Sequence, residues 1–142
     1  MRVLVDTSVW SLAFRRKSSD LSDSERSIVR ELSELIQESR VVMIGPIRQE
    51  ILSGISSIKQ FEKLRTKLRA FIDFPLNPVD YEKASEFFNI CRKKGVQGSH
   101  IDFLICSAAF NNELSIFTID KDFEKFSESL DIELHKVRKF IA

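Results

Sequence analysis

The sequence predicts an α/β fold, a three-layer α/β/α sandwich around a central, mainly parallel sheet. Short runs of apolar β-forming residues alternate with longer segments whose apolar residues recur at helical spacing. The short runs lack polar alternation, which is typical of strands buried on both faces. Four Gly and three Pro in 142 residues leave little room for long loops. We therefore expect a single domain over residues 1–142.

The first strand and the segment after it have the clearest pattern. Residues 3–5 form an apolar run, and Asp6, Thr7 and Ser8 end it and can cap a helix that begins near Val9. Further strands are expected at residues 41–44, 71–76, 114–118 and 132–137. Further helices are expected at residues 22–38, 46–52, 58–70, 77–94, from Ser99 through Ala108, and 123–126, with Gly54 and Gly95 as stops.

Charge and cysteine content exclude little. The formal net charge is +1, so a nucleic-acid partner would need locally clustered basic residues. Cys91 and Cys106 lie in apolar helical contexts and are predicted to be reduced core thiols. Arg2 and Asp6 bracket only three apolar residues, too few for a signal peptide, and no apolar run is long enough for a membrane span. These features predict a cytoplasmic protein.

Acidic residues follow several of the predicted strands. Ligands of parallel sheets gather beyond the carboxyl ends of the strands, so acids from separate segments are expected to meet there. Five positions qualify: Asp6, Glu50, Asp102, Asp120 and Asp122. Each has a structural alternative, since Asp6 and Asp102 suit helix N-termini, Asp120 and Asp122 suit turns, and a helix tolerates Glu50 anywhere.

Carboxylates held close together repel one another unless a cation neutralises them. Mg²⁺ or Mn²⁺ fits an all-oxygen site, and ions of this kind can activate water and stabilise a leaving oxygen at phosphorus. His100 and His135 stand alone in the sequence, with no spacing typical of zinc.

Four stretches that contain these acids resemble, in order, the motifs of VapC-type PIN domains. The resemblance covers essentially the whole chain. The stretches are residues 3–10 (VLVDTSVW), 44–54 (IGPIRQEILSG), 101–109 (IDFLICSAA) and 114–123 (LSIFTIDKDF).

The resemblance implies a PIN-like fold and assigns roles to particular residues. Asp6, Glu50 and Asp102 match the metal-binding acids of the family, and the fourth acid is Asp120 or Asp122, with Asp120 preferred because it leaves the strand sooner. The positions of the family's hydroxyl groups near the metal are matched by Thr7 and Thr118, although Thr7 can equally serve as a helix cap.

The family resemblance also carries expectations about activity and partners. VapC-type PIN domains are Mg²⁺- or Mn²⁺-dependent endoribonucleases. Many are toxins that cut tRNA or rRNA, are silenced by a VapB-like antitoxin and form homodimers. Apolar faces on the helices that contain Ile28 and Phe61 are expected to be exposed, which favours pairing of two chains.

Basic and aromatic residues offer contacts to RNA, each with a structural alternative. Arg15-Arg16-Lys17 and Arg92-Lys93-Lys94 suit phosphates, and equally suit the negative end of a helix dipole. Arg48 lies near the acids and can meet substrate or antitoxin, or equally pair with an exposed Glu. Trp10 can stack on a base, but a core or interface position is the stronger expectation.

Two other functions compete with the nuclease. An aspartyl-phosphate phosphatase or phosphotransferase would use Asp6 as its nucleophile, but haloacid-dehalogenase enzymes need a second Asp where this chain has Ser8. The remaining alternative is a non-catalytic domain whose acidic pocket binds a metal or a partner.

Overall fold

The structure, a computed structural model, describes residues 1–139. Its centre is a four-stranded sheet in the order β2-β1-β3-β4, and all neighbours are parallel. The strands are β1 (Val3–Val5), β2 (Val41–Val42), β3 (Ser115–Phe117) and β4 (Glu133–Leu134). Residues 140–142 of the predicted domain lie outside the described part of the chain.

Seven α-helices and one 3₁₀ turn surround the sheet within residues 1–139. The helices are α1 (Thr7–Arg15), α2 (Asp23–Gln37), α3 (Gly45–Leu52), α4 (Ile58–Leu68), α5 (Pro78–Lys93), α6 (His100–Asn111) and α7 (Asp122–Ser127), and the 3₁₀ turn is Ser18–Asp20. Capping boxes at Ser22, Asn77 and Ser99 explain where α2, α5 and α6 begin.

Both faces of the sheet are covered. Successive strand residues point to opposite faces, and every residue of β1 and β3 is buried. The α/β fold with a parallel sheet between helices is therefore confirmed, and the sheet is parallel throughout. No helix within residues 1–139 combines the length and the apolar character needed to cross a bilayer.

Some predicted boundaries were wrong. Residues 71–76 form no strand; they make one bridge, between Met43 and Asp73, and the Phe74 N–H donates to the Met43 carbonyl at 2.7 Å. The first helix begins at Thr7 rather than near Val9, because Asp6 is already its N-cap.

Arg48 explains why residues 71–76 stay irregular. Its guanidinium donates to the Leu68 carbonyl at 2.8 Å, to the Phe71 carbonyl and to the Asp73 carboxylate at 2.9 Å. These contacts hold the end of α4 and the following loop against α3. Arg48 does pair with a carboxylate, but the partner is Asp73 rather than the expected Glu.

The core takes up residues that also had functional interpretations. Trp10 is fully buried, and its indole N–H donates to the Val5 carbonyl at 3.1 Å, so it is a core residue rather than a platform for bases. Cys91 and Cys106 are free, buried thiols. Burial raises the pKa of both, which keeps them protonated and unreactive at neutral pH.

The faces expected to support pairing are less exposed than predicted. Ile28 is half-buried against the core, and Phe61 is half-buried beneath the guanidinium of Arg65. Dimer formation stays a prediction.

An ionic cluster joins α2 to the segment after β4. Glu31 is fully buried, contacts His135 Nε2 at 2.5 Å and accepts from Arg138 Nε at 3.1 Å. Arg138 also donates to Glu38 at 2.7 Å. We call Glu31, Glu38, His135 and Arg138 the paired cluster.

A close contact fixes the loop before α6. A Cβ atom added at Gly98 would lie 2.6 Å from the Phe126 ring and 3.0 Å from the Phe103 ring. Since neither buried ring has room to move, only glycine fits beside Ser99, the N-cap of α6.

Candidate metal centre

Four acids lie around the carboxyl edge of the central strands. Asp6 directly follows β1 and Asp120 follows β3, and the two strands are parallel neighbours. Glu50 belongs to α3, whose N-terminus follows the segment after β2, and Asp102 lies in the first turn of α6. We call Asp6, Glu50, Asp102 and Asp120 the acid cluster.

Asp6 is held through one of its carboxylate oxygens. Its Oδ2 accepts from Ser8 Oγ at 2.7 Å and from Thr118 Oγ1 at 2.8 Å, and it caps α1 through the Ser8 N–H at 3.4 Å. No donor within residues 1–139 contacts Oδ1. Asp6 is only 5% exposed, so its orientation is fixed and its second oxygen stays available.

Glu50 is tied to the segment that contains Asp6. Thr7 Oγ1 donates a short hydrogen bond to Glu50 Oε1. Thr7 is thus the first residue of α1 and also the side chain that joins α1 to the acid on α3. The predicted hydroxyl role of Thr7 has this geometric support.

Asp102 and Asp120 also use one oxygen each for local contacts. Asp102 Oδ2 accepts from the Ser99 N–H at 3.0 Å, and Asp120 Oδ1 accepts from the Asp122 N–H at 3.0 Å. In the described part of the chain, the other carboxylate oxygen of each residue has no donor.

Asp80 shows that a capping role alone does not leave an oxygen free. It occupies the same capping-box position in α5 as Asp102 does in α6, and its Oδ2 accepts from the Asn77 N–H at 2.9 Å. Its Oδ1, however, accepts from Asn111 Nδ2 at 2.9 Å. Structural contacts therefore occupy both carboxylate oxygens of Asp80 but only one carboxylate oxygen of Asp102.

Electrostatics link three of the acids. Burial raises the pKa of Asp102, and the negative charges of Asp6 and Asp120 raise it further, while the hydrogen bonds from Ser99 act in the opposite direction. Carboxylates that disfavour one another's ionisation in this way form a site that attracts a cation.

The hydroxyl groups behind the acids form a small network. Thr118 Oγ1 donates to Asp6, accepts from the Asp120 N–H at 3.0 Å and lies 3.3 Å from Ser8 Oγ. Ser8 Oγ in turn accepts from the Ile119 N–H at 3.2 Å. Sequence reasoning named Thr118 but treated Ser8 only as a capping residue; its place one helical position beyond Thr7 was the available signal.

Asp122 differs from the other candidates. It is the first residue of α7, and its backbone N–H supports Asp120. Its charge is not among the causes of the raised Asp102 pKa, whereas that of Asp120 is. The choice of Asp120 over Asp122 as the fourth acid stays a prediction.

The cluster suits a hard divalent cation in its donors but is not closed. Each of the four acids keeps one uncommitted oxygen, the donor type that Mg²⁺ and Mn²⁺ prefer. No group of three or more His, Cys, Asp or Glu side chains within residues 1–139 is arranged to hold an ion as it stands. Mutual repulsion among uncompensated carboxylates accounts for an open arrangement.

Comparison with protein families gives one decisive match. The profile of the PIN domain matches residues 3–129, which is most of the chain. The chain belongs to the PIN-domain family. The predicted family is thereby confirmed, and the acids of this PIN domain all lie within the matched region.

Solved structures share the fold of this PIN domain. It is similar to FitAcB from Neisseria gonorrhoeae, with 19% identity, coverage of 94% and 96% of the two chains and a TM-score of 0.72. It is also similar to VapBC2 from Rickettsia felis, solved with a promoter DNA fragment. The sequence identity is 18%, the coverage is 95% of this chain and 98% of that chain, and the TM-score is 0.73. A toxin-antitoxin complex from Klebsiella pneumoniae has 16% sequence identity, coverage of 85% of this chain and 89% of that chain, and a TM-score of 0.60. A search of curated proteins finds no match.

Proposed function

We propose that this PIN domain is a metal-dependent endoribonuclease of the VapC type, which hydrolyses RNA phosphodiester bonds. One observation carries the proposal. Four acids from four separate segments lie around one edge of the sheet, and each has one oxygen held by a hydrogen-bond donor and the other uncommitted. The PIN domain is a nuclease family, so membership supports the same conclusion.

Mg²⁺ or Mn²⁺ is the cofactor that this donor set would hold. Asp6, Asp102 and Asp120 are the first candidates because their charges interact, and Glu50 completes the set through its link to Thr7. The chemistry that such an ion supplies when bound is neutralisation of phosphate charge and a lowered pKa of water.

The protein's own side chains contribute positioning. Ser8 and Thr118 hold Asp6 from behind, and Ser99 holds Asp102. Because one oxygen of each carboxylate is fixed by these donors, the remaining oxygens keep their direction with little loss of side-chain entropy on binding. Thr7, Ser8 and Thr118 are accordingly positioning residues, and the acids are the proposed catalytic residues.

The toxin role and the partners belong to the same proposal. FitAcB, VapBC2 and the Klebsiella complex share this fold, and the last is a toxin-antitoxin complex. We propose a VapB-like antitoxin as the protein partner, tRNA or rRNA as the substrate class, a homodimeric assembly and a cytoplasmic location.

RNA cleavage with and without metal tests the proposal. Purified protein is incubated with total RNA in Mg²⁺, in Mn²⁺ and in EDTA, beside Asp102→Asn and Asp6→Asn. Wild type should cleave only with metal, and each variant should lose at least about a hundredfold in rate, since even partners that merely support a ligand cost 10–100-fold. Asn at position 102 keeps an acceptor for the Ser99 N–H, so a loss there reflects the missing charge.

The alternatives correspond to other outcomes. Intact RNA together with hydrolysis of a phosphomonoester would favour the aspartyl-phosphate enzyme. Intact RNA with metal binding, and no hydrolysis of either substrate, would favour a binding domain without turnover.

A further inference from the structure

A groove with basic walls lies between the end of α1 and α4. It encloses about 520 Å³, and its floor includes the apolar side chains of Phe14, Ile55 and Leu64. Five cationic side chains line it: Arg15, Arg16, Lys17, Lys63 and Lys67. We call this feature the basic groove.

The positive charge of the basic groove is largely uncompensated. No carboxylate lines it, and Arg16 alone of the five has an ion pair within residues 1–139, with Glu25 at 2.7 Å. Lys67 lies 5.8 Å above the Phe14 ring, a contact that leaves its charge intact. Since the whole chain carries a net charge of only +1, this is a local concentration.

Helix dipoles account for only part of the charge in the groove. Arg15 and Lys67 lie in the last turns of α1 and α4, and Arg16 is the C-cap of α1, where a cation is favourable. Lys63 lies inside α4 and Lys17 lies beyond the C-cap of α1, so no helix end explains these two. By contrast, Arg92 and Lys93 lie in the last turn of α5 and Lys94 is its C-cap, so the helix end explains that cluster.

The basic groove lies close to the acid cluster along two elements. Thr7, which donates to Glu50, begins α1, and Arg15 ends it about 12 Å further on at 1.5 Å per residue. Gly54 of the groove lies two residues beyond the end of α3, the helix that contains Glu50. A chain that crosses the acids can therefore continue into the groove.

We propose that the basic groove binds the phosphate backbone of the RNA strand on one side of the cleaved bond. Repeated phosphates match cations on two walls, and the apolar floor suits ribose and base surfaces. The length of α1, about 12 Å at 1.5 Å per residue, places these phosphates within a few nucleotides of the acids. This inference rests on the proposed function for the identity of its ligand, and it assigns that ligand a second contact surface.

Salt-dependent binding gives a quantitative test. For single-stranded nucleic acid, each phosphate contact contributes about −0.7 to the slope of log K against log salt. Replacing Lys63 and Lys67 by Gln should therefore reduce the slope by about 1.4. At about 0.1 M salt the same contributions predict a loss of affinity of about fivefold per contact, or about 25-fold for the pair.

The experiment measures fluorescence anisotropy of a labelled single-stranded RNA with intact protein in EDTA, so that no cleavage occurs. Wild type is compared with Lys63→Gln/Lys67→Gln and with the matched control Lys93→Gln/Lys94→Gln, which removes the same charge at the end of α5. Arg15→Gln, a change on the other wall, gives an independent reading. Thermal melting verifies that each variant is folded.

Support requires weaker binding and a shallower slope for the groove variants, with the control close to wild type. Equal loss in both double variants would overturn the inference, because net charge rather than the groove would then explain binding. So would unchanged binding in the groove variants, or a wild type that does not bind RNA.

Cleavage assays in Mg²⁺ separate this inference from the proposed function. Cleavage with unchanged binding in the groove variants would leave the nuclease standing and remove the groove. If RNA binding depends on the groove but no metal-dependent cleavage occurs, the groove is supported as an RNA-binding surface and the proposed nuclease activity is contradicted.

Discussion

The acid cluster and the paired cluster solve the same physical problem in different ways. Both gather carboxylates in or beside the protein interior. In the paired cluster, Glu31 is fully buried and has His135 and Arg138 against it. In the acid cluster, Asp6 is nearly buried and its donors are neutral hydroxyl and amide groups.

This difference in compensating charge distinguishes carboxylates that are already paired within the protein from carboxylates that are free to bind a cation. A buried carboxylate needs compensating charge or hydrogen bonds, and at Glu31 the chain supplies the charge of Arg138, 107 positions away, and a contact with the His135 ring, 104 positions away. Within residues 1–139 no cationic side chain pairs with the four acids at the sheet edge, and burial together with the charges of Asp6 and Asp120 raises the pKa of Asp102. Opposite responses to metal, substitution and pH follow for the two clusters.

Metal binding should produce the largest difference. Mn²⁺ or Mg²⁺ at about 100 times its Kd should stabilise the protein by about 2.7 kcal/mol, because the ion binds the folded chain only. The check is urea unfolding with metal and with EDTA, in wild type and in Asp102→Asn. The increment should vanish in the variant, and its persistence would show that the ion binds elsewhere.

Neutralising Glu31 should have the next largest effect, and it should destabilise the protein because Arg138 and His135 lose their buried partner. Glu31→Gln should reduce the free energy of unfolding by about 2 kcal/mol. Breaking a fully buried pair costs about 3–5 kcal/mol, and the 40% exposure of the Arg138 side chain lowers that value.

Glu38→Gln provides the control within the same cluster. Glu38 contacts Arg138 and Arg40 at the surface, so its loss should reduce stability less. Equal effects of the two substitutions would contradict the distinction between buried and exposed members.

The two clusters should also titrate with opposite sign. The folded-state pKa of Asp102 is raised, so without metal the folded state binds more protons than the unfolded chain. Ionisation of Asp102 therefore lowers stability as pH rises from the usual aspartate range through the raised pKa. Glu38 has a lowered pKa, chiefly through its hydrogen bond from Arg138, so its contribution is present above the usual glutamate range and is lost as pH falls.

Melting curves against pH in EDTA measure the Asp102 effect. Asp102→Asn should match wild type in acid, where Asp102 is protonated, and should melt higher than wild type at neutral pH. A variant that melts lower at neutral pH would mean that Asp102 is stabilised by a cationic partner.

The smallest effect should distinguish the two acids after β3. Asp122→Asn keeps the backbone N–H that supports Asp120 and should leave the metal-induced stabilisation near that of wild type. Asp120→Asn should diminish it. The measurement is the shift in melting temperature on adding Mn²⁺, and reversed results for the two variants would assign the fourth acid to Asp122.

Local patterns in the sequence predicted much of the fold. The apolar run before Asp6 and the Ser99 cap before α6 depend on neighbouring residues alone, and both were confirmed. Residues 71–76 have the composition of a strand, but the Arg48 side chain takes two of the carbonyls in and before this segment. That contact joins α3 to a distant loop, and no local pattern encodes it.

The candidate site shows the same division. The acids could be named because each follows an element whose end is visible in the sequence. The role of Ser8 requires knowing that β1 and β3 are neighbours, since the residues whose groups contact its hydroxyl, Thr118 and Ile119, lie more than a hundred positions away. His135 likewise stands alone in the sequence and finds Glu31 only in the folded chain.

Gly98 has no functional group, yet the direction of Asp102 depends on it through the Ser99 cap beside two buried rings. A genetic selection for loss of the proposed nuclease activity should therefore recover substitutions at position 98 together with changes to the acids. A ranking of positions by the chemical reactivity of their side chains would miss these substitutions. They remove no reactive group and act because a side chain at position 98 would clash with the Phe103 and Phe126 rings.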